Sequence, residues 1–121
     1  MTNLSMIRGD TRSFALTLTD GAGSPLDLTD VTLTFTAKLR LTDADDEAII
    51  VKTDADGIEI SDDPSDGMAT LTIDPEDTEV LGYSRSLYWD LQVEDALGAV
   101  QTPLSGRLSI RADVTRDRAG S

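Results

Sequence analysis

Three features of this 121-residue sequence predict an all-β chain, folded as an immunoglobulin-like antiparallel β-sandwich with one short helix over Asp74–Leu81. Apolar and polar residues alternate at period 2 in several stretches, Gly- and Pro-bearing turns separate them at a spacing of roughly ten residues, and helix-start punctuation occurs once. The plainest hairpin arm is 86–94, where Leu87, Trp89, Leu91 and Val93 share one face and Tyr88, Asp90, Gln92 and Glu94 the other. It runs into Asp95-Ala96-Leu97-Gly98, and Val100 opens the return strand toward Thr102 and Pro103. The cadence occurs earlier too: Leu16-Thr17-Leu18-Thr19-Asp20-Gly21-Ala22-Gly23 matches 91–98, aligning Asp20 with Asp95 and Gly23 with Gly98.

Taken in chain order, six to eight strands are expected. A first short strand ends at Ile7, and Phe14, Leu16 and Leu18 form the inward face of a second, closed by a turn over 21–25. Leu26-Asp27-Leu28 leads into the next strand, where Val31, Leu33, Phe35, Ala37 and Leu39 alternate strictly with Thr32, Thr34, Thr36, Lys38 and Arg40. An acidic loop over 42–47 precedes strands at 48–53, 57–60 and 68–73, the last two joined by the turn Asp62-Asp63-Pro64-Ser65-Asp66-Gly67. For the helix, Asp74 stands at the N-cap, Pro75 at the first helical position and Asp77 at the third, and Gly82 ends it. About two turns long, it must pack Val80 or Leu81 onto a sheet edge. A final strand covers about 106–114 with Leu108 and Ile110 inward. The domain thus spans 1–115, followed by a polar tail, 116–121. With no cysteine to bridge the sheets, Trp89 is expected to be the large residue standing across them. A small barrel is the alternative fold.

Composition limits the functional classes. Formal charge is −13 with a pI near 4.1, a field that repels phosphates and anionic lipid, so neither nucleic acid nor membrane is an expected partner. The start, Met1-Thr2-Asn3-Leu4-Ser5-Met6-Ile7-Arg8, has neither a basic n-region nor an apolar run, which predicts synthesis in a cytoplasm. Absence of His and Cys removes imidazole and thiolate nucleophiles and the usual zinc sites. Only carboxylates remain for catalysis; Asp90 beside Trp89 is the candidate, and glycoside cleavage would require a second acid flanking a groove. The expectation is a non-enzyme without cofactor or metal.

Other motifs have plainer readings. Asp54-Ala55-Asp56-Gly57 resembles a fragment of a calcium loop, with Asp62, Asp63 and Asp66 near in sequence. Lys52 occupies the first ligand place and Asp63 the last, so the full pattern fails. Asp54, Asp56, Asp62 and Asp63 are therefore cation candidates second to turn chemistry. Arg8-Gly9-Asp10 spells an adhesion tripeptide but reads as a turn before a strand, and the row Thr32, Thr34, Thr36 reads as an exposed strand face rather than an ice- or sugar-facing surface.

Taken together, Ile7-Arg8-Gly9-Asp10-Thr11, Phe14-Ala15-Leu16, Asp20-Gly21-Ala22-Gly23, Pro25-Leu26-Asp27-Leu28-Thr29, Leu87-Tyr88-Trp89-Asp90-Leu91-Gln92-Val93 and Gly106-Arg107-Leu108 resemble tailed-bacteriophage virion proteins. The likeness is to the immunoglobulin-like N-terminal domain of the baseplate upper protein family, over about residues 5 to 115. That resemblance implies a structural adaptor in the virion, made in the host bacterial cytoplasm, with capsid, neck, tail or baseplate proteins as partners. A homo-oligomer in the particle is compatible with it. Without a long C-terminal extension for receptor binding, the chain resembles a stand-alone accessory protein, either capsid decoration or an adaptor. The alternative is a calcium-dependent module for host-surface glycans. Contact segments expected in assembly are the chain ends, with Leu4, Met6, Ile7 and Arg8 at one and Thr115, Arg116 and Arg118 at the other.

Overall fold

The computed structural model describes residues 2–44, 47–81 and 84–114. Its strands are β1 (Thr2–Ile7), β2 (Arg12–Thr17), β3 (Thr32–Lys38), β4 (Ile50–Thr53), β5 (Ile58–Ile60), β6 (Met68–Ile73), β7 (Arg85–Glu94) and β8 (Val100–Arg111), with helix α1 (Pro75–Glu79) between β6 and β7. A five-stranded sheet runs β1-β8-β7-β3-β4 and a three-stranded sheet β2-β6-β5. Every neighbouring pair is antiparallel except β1 with β8, which is parallel. The second, sixth and fifth strands thus oppose the third, fourth, seventh and eighth, the arrangement of an immunoglobulin-like sandwich.

The strand pattern explains the layering. Inward positions spaced by two, namely Phe14 and Leu16, Leu33, Phe35 and Ala37, Leu71 and Ile73, Leu87, Trp89, Leu91 and Val93, Leu108 and Ile110, all fall in one buried cluster. Each such large side chain withdrawn from water contributes on the order of 1.5–3 kcal/mol. Trp89 is buried in the core between the two sheets. Its ring packs on Phe35 of the adjoining strand, centroids 5.4 Å apart, and the small residues Ala37 and Gly106 flank it in register. Gly106 has a second reason to be glycine: a Cβ there would lie 1.7 Å from the Thr2 carbonyl oxygen, so closely does β1 approach β8.

Several boundaries move from the sequence expectation. The return strand at Val100 and the final strand are one element, ending at Arg111 instead of Val114. Pro103 is tolerated within it because the β7–β8 register shifts between Leu91 and Val93, so a bulge absorbs the missing ladder donor. Leu26-Asp27-Leu28 leads toward β3, as expected, with Leu28 a buried plug whose N–H donates to Pro64 O. The helix is a single turn with Asp74 as N-cap and Val80 as C-cap. Asp77 accepts a 2.7 Å bond from the Asp74 N–H, and Leu81 rather than Val80 is the buried anchor, 6% against 71% exposed. A 3-10 turn, Pro64–Asp66, lies within the 62–67 turn. The Gly82 stop signal and the tail from Thr115 onward fall outside the described residues.

The two aligned turns are the same device. Asp20 Oδ1 accepts from the N–H groups of Ala22 and Ser24 at 2.8 and 3.0 Å; Asp95 Oδ1 accepts from Leu97 and Ala99 at 2.9 and 3.0 Å. Gly23 and Gly98 both take the positive φ that closes the loop, 84° and 86°.

Candidate functional site

The N-terminal contact candidates separate by face. Met6 is in the core, Leu4 packs partly against it, and Ile7 is exposed at the end of the edge strand β1. Arg8 is engaged inside the molecule. Its guanidinium donates from Nη1 to Asp113 Oδ1 at 3.1 Å, from Nη2 to Glu79 O at 2.7 Å and from Nε to Leu81 O. The ion pair is largely buried, and the Gly9 N–H donates to the buried Thr78 hydroxyl at 2.8 Å. Arg8-Gly9 therefore clamps the C-terminal carbonyls of α1 to the end of β8. Thr115, Arg116 and Arg118 lie outside the described residues.

The acidic turns are organised around backbone donors. Asp54 Oδ1 accepts from the Leu33 N–H at 3.1 Å. Asp63 Oδ1 accepts from the N–H and hydroxyl of Ser65, and Asp66 Oδ1 from the Ser61 hydroxyl and the Met68 N–H. The Asp54–Gly57 turn and the 62–67 turn flank opposite ends of β5, so Asp54 and Asp56 are not brought together with Asp62 and Asp63. Among the described residues no three metal-ligating side chains converge. Asp27 shows the same turn chemistry: hydrogen bonds from the hydroxyl and N–H of Thr29 hold its carboxyl below the usual range.

Lys52, the residue that breaks the calcium-loop pattern, is a buried structural cation. It sits at an inward position of β4, 5% exposed, with Nζ 2.8 Å from Asp77 Oδ2 and 3.6 Å from Asp74 Oδ2. Burial pushes its ammonium down, but the Asp77 hydrogen bond and the charges of Asp77, Asp74 and Asp56 outweigh that and hold it above the ordinary lysine value. The pair ties the edge of the larger sheet to the helix leaving the smaller one.

Two surfaces stand out among the described residues as places for a partner. The first is a groove of about 490 Å³ on the outer face of the five-stranded sheet, lined by Thr34, Thr36, Lys38, Leu41, Tyr88, Asp90, Gln92, Ser105 and Arg107 with Trp89 and Gly106 at its floor. Thr34 and Thr36 of the Thr row thus meet Asp90 there, and Asp90 is the one carboxylate lining it among the described residues. Arg107 lies over Tyr88, with Cζ 3.8 Å from the ring centroid. The second surface is the pole formed by the β2–β3, β5–β6 and β7–β8 connections. Bonds from Leu18 N to Gly67 O and Leu28 N to Pro64 O join the first two, and the pairing of Thr32 with Glu94 sets the third beside them. These connections carry Asp20, Asp27, Asp30, Asp62, Asp63, Asp66 and Asp95 and neither Lys nor Arg. Arg12, Lys38, Arg85 and Arg111 occupy the opposite ends of their strands. From the acidic pole projects Leu97, 95% exposed, with Val100 also exposed behind it.

No family model matches the chain, and no curated protein matches it. Among solved structures it is similar to AggA, the major subunit of aggregative adherence fimbriae type I from Escherichia coli. That alignment covers 93% of this chain and 91% of the other at 10% identity, with a TM-score of 0.32.

Proposed function

We propose that this chain is a non-enzymatic structural accessory protein of a bacteriophage particle. As an immunoglobulin-like module it docks onto other virion proteins, as capsid decoration or as a tail or baseplate adaptor. The observation that carries this reading is the β7–β8 tip, where Leu97 stands almost fully in water on a turn locked by Asp95. A rigid apolar knob loses little entropy on docking, and the surrounding carboxylates fit an apolar socket rimmed by Lys or Arg. Repetition over many copies in a particle would multiply the strength of each contact. The sequence resemblance supplies the virion setting.

The test is saturable binding of the purified protein to particles that lack it, followed by sedimentation. Leu97→Asp should leave the fold intact and weaken binding about tenfold or more, the cost of losing a buried anchor. Equal binding of the variant would remove the tip from the account.

A further inference from the structure

We propose that the groove on the outer face of the five-stranded sheet binds an oligosaccharide bearing a carboxylate, without calcium. The groove, about 490 Å³, lies within the roughly 300–1,000 Å³ typical of small-ligand sites. Its strands β3 and β7 are each paired on both sides, and β8 is paired with β1 from Gly106 onward, which leaves little backbone there for an added peptide strand. Recognition must run through side chains. Thr34, Thr36, Gln92 and Ser105 offer hydroxyls and an amide that both donate and accept, as sugar hydroxyls do, and the short ones lose little freedom when ordered.

Arg107 gives the site its charge preference. The guanidinium is held over Tyr88, yet its Nε has no hydrogen-bond partner and its Nη2 reaches Ser86 O only at 3.4 Å. Nε is buried beyond a ligand's reach, so the terminal nitrogens of the guanidinium would carry the pairing with a carboxylate. In a chain with 10 cationic and 23 acidic side chains, the described residues lining the groove reverse the balance, setting Lys38 and Arg107 against Asp90. At physiological salt the Debye length is about 8 Å, which screens the acidic pole from a ligand seated on Arg107.

The experiment titrates the full chain with a hyaluronan hexasaccharide and with sialyllactose, each beside its carboxyl-reduced counterpart, reading backbone amide shifts and calorimetric affinity. At least one acidic sugar should shift the amides around Thr34, Thr36, Gln92 and Ser105. Carboxyl reduction and Arg107→Gln should each weaken binding about tenfold, the scale of one charge-assisted pair, and EDTA should change nothing. Thr36→Val, a nearly isosteric change on the exposed face, gives a second variant that should also weaken binding. No shift with either sugar, shifts confined to other surfaces, equal binding of the reduced sugars, or loss of binding in EDTA would each overturn the proposal.

Discussion

Replacing Lys52 by Met keeps the side-chain stem and removes its charge, which isolates the contribution of the buried ion pair. At 2.8 Å from Asp77 and 3.6 Å from Asp74, the gross attraction is about 6 and 4–5 kcal/mol at an effective dielectric near 20. Burying the ammonium offsets several kcal/mol of this. Removing one partner of a buried pair costs about 3–5 kcal/mol because the other charge is stranded. Asp77 is 19% exposed and keeps its bond from the Asp74 N–H, and Asp74 is 45% exposed, so the lower end, about 3 kcal/mol, is expected. The pH dependence has a definite sign. Lys52 is held above the ordinary lysine value, so its stabilisation is complete below the unfolded pKa of about 10.4 and is lost as pH rises through the folded pKa. Urea unfolding of wild type and Lys52→Met at pH 7 should differ by about 3 kcal/mol, and the gap should narrow in alkali. A gap under about 1 kcal/mol at neutral pH, the level of an exposed pair, or one that widens above pH 10 would refute this account.

Further consequences follow from the same contacts. Gly106→Ala places a methyl where Thr2 O lies; about 1–3 kcal/mol should be lost, with hydrogen-exchange protection falling first at the amides of β1. Arg8→Met removes the guanidinium's bonds to the carbonyls of Glu79 and Leu81 and its ion pair with Asp113, and should lower stability by about 2 kcal/mol in urea unfolding. Gly98→Ala forces a side chain into φ 86° and should cost about 1–2 kcal/mol by thermal unfolding. Leu97→Asp should move the melting free energy by no more than about 0.5 kcal/mol, since the side chain packs on nothing.

Local features of this fold were legible in the sequence; long-range ones were not. Period-2 alternation located β3 and β7, and the Asp-x-x-Gly cadence matched Asp20 to Asp95 because each turn is closed by its own carboxylate and its own positive-φ glycine. Asp74, Pro75 and Asp77 marked the helix start for the same reason. Its short length was set by packing, since burying Leu81 required the chain to leave the helix at Val80. Parallel pairing of β1 with β8 joins the two ends of the described chain and leaves no local mark except a glycine at position 106. The Lys52 pair did leave a signal: Ile50 and Lys52 share one face of β4, and a lysine at an inward position requires a carboxylate partner. The groove was half visible, as the Thr row on β3, but its other walls come from β7 and β8, and only the register brings Gln92 and Arg107 alongside.

The most direct test of the docking proposal is cryo-electron microscopy of particles lacking the protein after saturation with the purified chain. Localised, stoichiometric density is expected, with the Leu97 tip seated in an apolar socket bordered by basic side chains. Absence of density, or density in which that acidic pole faces solvent, would contradict it.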